Sequence, residues 1–129
     1  MGGIAAILSL AYPALAQQCG MAVGYEGINT NKFPPAAKWT LHIYDASCCS
    51  DFRPHIDDAV AMFPDPVHQA VKGKLSSQDV LNTITAVNAT TGTGVHVIFE
   101  FPLIPNVPVV GDLAKLLNGE VWGPWIYPI

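Results

Sequence analysis

Val95-His96-Val97-Ile98-Phe99-Glu100-Phe101 alternates without a break: Val95, Val97, Phe99 and Phe101 fall on one side of an extended chain, His96, Ile98 and Glu100 on the other. A period of two carried by β-branched and aromatic residues marks a strand with one face in a core. A second run of the same kind lies earlier, between Lys38 and Tyr44. There Trp39, Leu41 and Ile43 face one way and Thr40, His42 and Tyr44 the other. We place these two strands side by side. The connection between them holds two or three short helices, which suits either a crossover to a parallel neighbour or a helical layer on an antiparallel sheet. The expected architecture is α+β, a small β-sheet covered on one face by several short helices, in a single compact domain.

The helices are read from spacing and punctuation. Ile56, Val60 and Phe63 recur on one helical face, with Asp57 and Asp58 near the positive N-terminal end and Pro64 closing the element. Asp65 and Pro66 resemble an N-cap and first-turn proline, opening a second helix through Val67, Ala70 and Val71 that stops at Gly73. A third opens at Ser76 or Ser77, where Ser76 with Asp79 approximates a capping box, and along it Val80, Leu81, Ile84 and Val87 are spaced up to the Thr and Gly cluster at 90–94. Elsewhere the chain reads as irregular. Gly24, Gly27, Asn29, Asn31 and Pro34-Pro35 interrupt Gly20 to Lys38, leaving only Met21 to Val23 as a short edge strand. Asp45 to Pro54 reads as a loop, and the prolines after Phe101 keep the chain extended until Asp112 caps a brief helix over Leu113 to Leu117.

The 129 residues suit one domain, and a charged fraction of 12% with a net charge of -4 excludes the basic footprint of a nucleic-acid-binding protein. Residues 1–16, MGGIAAILSLAYPALA, carry no charged side chain and end in Ala14-Leu15-Ala16, the small-x-small pattern of a cleaved secretory signal. The apolar run is shorter than the ~20 residues that span a bilayer, so no integral membrane association is expected. The mature domain is then 17–129, secreted and extracellular. In an oxidising compartment three cysteines leave one bridge and one spare thiol. The expected bridge joins Cys19 to Cys48 or Cys49, with Cys48 the assigned partner. A ring between the neighbours Cys48 and Cys49 is disfavoured, because a trans peptide holds their Cα atoms ~3.8 Å apart. Asn88-Ala89-Thr90 is a glycosylation sequon beside a polar turn, which would make the chain a glycoprotein.

Two stretches carry candidate chemistry. Between Trp39 and Asp58 stand His42, His55, Asp57, Asp58 and the cysteine pair, residue types that ligate zinc or copper, yet no ligand spacing joins them, and neither metal nor cofactor is expected. Ser47 and Ser50 lack the strand-to-helix elbow of a serine hydrolase. Glu100 with Asp45 would serve glycoside hydrolysis only at a separation of about 5 to 10 Å. The second stretch is the uncharged tail, with Trp122, Trp125 and Tyr127. Such aromatics stack on sugars or sit at lipid interfaces, unless the tail is a final edge strand whose tryptophans plug the core. The resulting expectation is a small secreted binding protein whose contact surface joins the Cys48 to His55 loop to the tail, with Trp122, Trp125, Tyr127 and His55 as binding residues. Its partner would be an extracellular protein, glycan or lipid. The alternatives are a small secreted hydrolase using His42, Asp45, His55 and Glu100, and a homodimer linked through the odd cysteine.

Overall fold

The two alternating runs pair with each other, and the pairing is antiparallel. In a computed structural model residues 19–103 and 120–129 are described; the expected signal segment and the expected helix over 113–117 lie outside the described residues. Strand β1 (Met21–Asn29), β2 (Ala36–Ile43), β3 (Val95–Pro102) and β4 (Trp122–Pro128) form a four-stranded sheet in the order β1-β2-β3-β4. Every neighbouring pair is antiparallel. The central pair runs in unbroken register from Ala36 opposite Pro102 to Ile43 opposite Val95. Between β2 and β3 lie α1 (Ala46–Cys49), α2 (Ile56–Ala61), α3 (His68–Leu75) and α4 (Gln78–Thr91).

Among the described residues the helices all come from one connection and pack on one face. Leu41, Ile43, Val95, Val97, Phe99 and Phe101 on the sheet and Phe52, Phe63, Val67, Val71, Leu75 and Ile84 from the helical segment form one buried cluster. Phe99 sits at its centre, edge-on to Phe63 at 5.6 Å and stacked on Phe101 at 6.1 Å. Fully burying one such ring contributes about 1.5 to 3 kcal/mol. This layering is the expected α+β arrangement.

Several local readings change. The segment after Gly20 is a nine-residue edge strand rather than mostly irregular chain. Glycines that weaken a strand in isolation are tolerated here because β2 supplies the hydrogen-bonding ladder, and Gly27, at φ 93°, lies where the β1-β2 register shifts between Tyr25 and Ile28. The segment after Asp45 is helical instead of a loop: Asp45 accepts from Ser47 N at 3.0 Å and caps α1. A 3-10 turn over Arg53–His55 then leads into α2. Helix α3 runs through Gly73 to Leu75, since burial of Val71 and Leu75 outweighs the poor helix propensity of one glycine. Ser77, one of the two expected openings, is the N-cap of α4, without the side-chain capping bond expected of a capping box from Ser76 to Asp79.

One disulfide, Cys19 to Cys48, pins the start of β1 to α1, with Cα atoms 5.8 Å apart and a sequence separation of 29. Cys49 is the free thiol, buried in the core. Burial, and next the charge of Asp45, push that thiol up to about 11. Such a group stays protonated and inert at neutral pH.

Candidate functional site: the open face of the sheet

Alternation that buries one face of the sheet presents the other. Because β1 to β4 run antiparallel in register, the outward residues form rows across the strands: Ala22, His42, His96 and Tyr127, then Gly24, Thr40, Ile98 and Trp125, then Lys38, Glu100 and Trp122. Trp122 and Trp125 share this face although three residues separate them, a spacing that in a regular strand puts side chains on opposite faces. The β3-β4 register shifts between Ile98 and Glu100, so β4 carries one extra residue there. Gly123, at φ 96°, sits in that bulge. A Cβ on it would lie 2.9 Å from Ile98 O and 3.0 Å from the Trp125 ring, so only glycine fits.

The face is aromatic at its rim and charged in its middle. Trp125 is 38% exposed and Tyr127 52%. They line a shallow groove of about 350 Å³ together with Lys32, Lys38, Ile98 and Glu100. Glu100 is only 5% exposed despite its place on the open side. Its Oε2 accepts from Asn29 Nδ2 at 3.2 Å, and its Oε1 is ion-paired with Lys32 Nζ. The same ammonium lies 5.0 Å from the centre of the Trp125 ring and 5.3 Å from that of Trp122. At the next position across the sheet, Lys38 reaches Glu26 at 3.7 Å, and Glu26 also accepts from Thr40 Oγ1.

Two histidines meet in the row beyond. His42 stacks on Tyr44 at 5.7 Å and meets His96 edge-on at 4.5 Å. His96 is held below the ordinary histidine range chiefly by burial and then by the facing His42, with Glu26 opposing. Among the described residues, no three His, Cys, Asp or Glu side chains converge as metal ligands.

The residues of the expected hydrolytic site are separated by the sheet. His42 and Glu100 lie on the open face, whereas His55 is buried beside Phe52 in the helical layer, their rings 6.2 Å apart. Asp45 follows the far end of β2, seven positions beyond Lys38, the partner of Glu100. At ~3.3 Å per residue that is on the order of 20 Å, too far for a carboxylate pair. Ser47 Oγ donates to Asp45 Oδ1 at 2.6 Å and Ser50 Oγ to Ser47 O at 2.9 Å, so both hydroxyls are engaged within the α1 segment. The two Ser47 hydrogen bonds hold the Asp45 carboxyl below its usual range.

Of the expected binding residues, Trp122, Trp125 and Tyr127 come together on the open face, and His55 does not join them. The Cys48 to His55 loop packs onto α4 instead, where Thr85 Oγ1 donates to Cys49 O at 3.1 Å and Asn88 Nδ2 to Ala46 O at 3.1 Å. Asn88, the sequon residue, also accepts from Gly94 N at 3.0 Å through its Oδ1. Lys32 and its bond to Glu100 escaped the sequence reading, because a contact spanning 68 residues leaves no periodic trace. The signal that was there is a lysine alone in an Asn-rich turn opposite a strand with one acidic residue.

No family model matches this chain, and no curated protein and no solved structure matches it. Among the described residues no helix is long and apolar enough to cross a membrane.

Proposed function

We propose that the protein is a small secreted binding protein that engages its extracellular ligand through the open face of the sheet, with Trp125 and Tyr127 as the principal contacts. The observation that carries this reading is the one-sided layering. Every helix in the described chain packs behind the sheet, and the other face, which no described helix covers, holds the exposed aromatics and the groove. Rigid aromatic rings beside fixed polar groups suit recognition at low entropic cost. The charge-free segment at residues 1–16, closing in Ala14-Leu15-Ala16, supports extracellular placement. The dispersal of His42, Asp45, His55 and Glu100 gives hydrolysis no such support.

The test is a screen of the full mature chain against soluble glycans, lipid micelles and candidate extracellular proteins, read by amide NMR. Shifts should cluster at His96, Ile98, Trp125 and Tyr127, and Trp125→Ala should weaken binding roughly tenfold or more. Shifts confined to the groove of about 280 Å³ between Asp51, Arg53, Gln78 and Asn82 would move the binding surface to the helical side and overturn the assignment. Extracellular placement is tested separately by the intact mass of protein from its native host, where a chain beginning at Gln17 is expected and one retaining Met1 would refute it.

A further inference from the structure

The corner of the open face where β3 and β4 meet the connection over residues 30–35 has the makings of a cation site. A carboxylate that is almost fully buried faces two indole rings, and an ammonium stands among all three. That ammonium belongs to the chain itself. Anion and aromatic faces together bind organic cations: the carboxylate supplies charge, and the ring quadrupoles attract a cation within about 6 Å of their centres. Lys32 satisfies both conditions, at 5.0 and 5.3 Å from the two rings.

A purely structural ion pair would need Glu100 and Lys32 alone. The bulge at Gly123 brings a second tryptophan onto the same face, and Asn29 occupies the other carboxylate oxygen, orienting Oε1 toward the ammonium. Lys32 is also poorly anchored for a permanent occupant. Its side chain is 40% exposed, it comes from a turn flanked by exposed Asn31 and Phe33, and the turn's own bond is Asn31 N to Asn29 Oδ1 at 3.0 Å. The adjoining groove continues from the cage along Trp125 and Tyr127, leaving room for the rest of a ligand.

We propose that this corner is a recognition site for an alkylammonium group, quaternary or lysine-like, and that Lys32 is its internal occupant, displaced when the ligand binds. The proposal rests on the open-face reading and names the ligand chemistry of that surface. The Lys32 ammonium leaves Glu100 for solvent as the ligand cation takes its place, so the buried carboxylate is never left uncompensated. An internal competitor weakens the apparent affinity by the fraction of time it fills the cage; at roughly nine-tenths occupancy, removing it tightens binding about tenfold.

The experiment titrates choline chloride into the full mature chain and into Lys32→Ala, following tryptophan fluorescence and thermal unfolding. Choline should bind the wild type weakly and Lys32→Ala about tenfold more tightly, with a rise in unfolding temperature that sodium chloride does not reproduce. The neutral isostere 3,3-dimethyl-1-butanol should do neither, and Glu100→Gln should abolish choline binding. If Lys32→Ala does not fold without a cation, refolding it with choline but not with sodium supports the site; if neither salt refolds it, wild type decides. In that case amide shifts of residues 29–35 in wild type under choline provide the second reading, and their absence overturns the proposal. A folded Lys32→Ala that binds choline no better than the neutral isostere removes the proposal. Retention in that variant of any Trp125-dependent ligand would leave the open-face surface standing and discard only the cation cage. Phosphocholine in solution against phosphatidylcholine vesicles then separates a free solute from a lipid headgroup as the source, and binding to either supports the site.

Discussion

Replacing both Cys19 and Cys48 by alanine tests how much of the stability comes from a single cross-link. The bridge closes a loop with a sequence separation of 29. For a loop of that length the chain-entropy relation gives about 3 to 4 kcal/mol at 25 °C, held largely in the restricted unfolded chain. The folded side should change little. Strand β1 keeps its ladder with β2, and Tyr44 N still donates to Gly20 O at 2.7 Å, so the variant should fold with β1 in place. The double substitution is preferred to either single one because a lone Cys48 beside Cys49 invites exchange. Equilibrium urea unfolding followed by tryptophan fluorescence should show a loss of about 3 to 4 kcal/mol, and the thermal midpoint should fall by roughly 10 to 15 °C. The urea slope should rise, since an uncrosslinked unfolded chain exposes more surface. Reduced wild-type protein should match the variant, which separates chain entropy from any packing lost with the Cys48 sulfur. A loss below about 1 kcal/mol would refute the reasoning, and would mean that the bridge restricts the unfolded chain far less than its loop length implies.

Gly94→Ala should destabilise severely, by more than about 3 kcal/mol in urea unfolding, because φ is 109° and a Cβ would lie 2.1 Å from Ile43 O; Gly24→Ala, where a Cβ meets nothing within 4 Å, should be close to neutral. Gly123→Ala should collapse the bulge and move Trp122 off the open face, seen as a shifted tryptophan emission and loss of any cation response, while the core aromatics keep their near-ultraviolet circular dichroism. Cys49, pushed up to about 11 from an ordinary 9.0, should react with iodoacetamide at pH 8 about a hundredfold more slowly than a free thiol from ionisation alone, and fully only after unfolding. His96 is neutral more readily in the folded than in the unfolded chain, so its contribution is intact above an unfolded value near 6.5 and is lost as pH falls below it; His96→Gln should flatten that acid limb in stability measured from pH 7 to pH 5.

What was legible and what was not divides along one physical line. Alternation and helical spacing record burial, and burial is local in sequence. Leu41, Ile43, Val97 and Phe99 therefore announced their face, and Leu81 and Ile84 announced a helix. The uncovered face follows from the same alternation, and the tail showed its aromatics. Hydrogen-bonding partners are not local. The nine residues of β1 look irregular until β2 lends them a ladder, and α1 looks like a loop until Asp45 is seen to accept from Ser47 N. The site depends on the least local feature of all. Read as a regular strand, β4 would send Trp122 and Trp125 to opposite faces, one into the core and one out, and the alternative that both tryptophans plug the core fails for the same reason that this one does: neither allows for the bulge. A single extra residue at Gly123 reverses that for Trp122, and the carboxylate that the two rings then face belongs to β3 while its cation comes from the turn before β2. Three separate segments must be folded before the ammonium has anything to bind. A glycine-proline pair between two tryptophans in an otherwise apolar strand is the one local mark such a bulge leaves, because glycine alone accepts its backbone and proline needs no ladder partner.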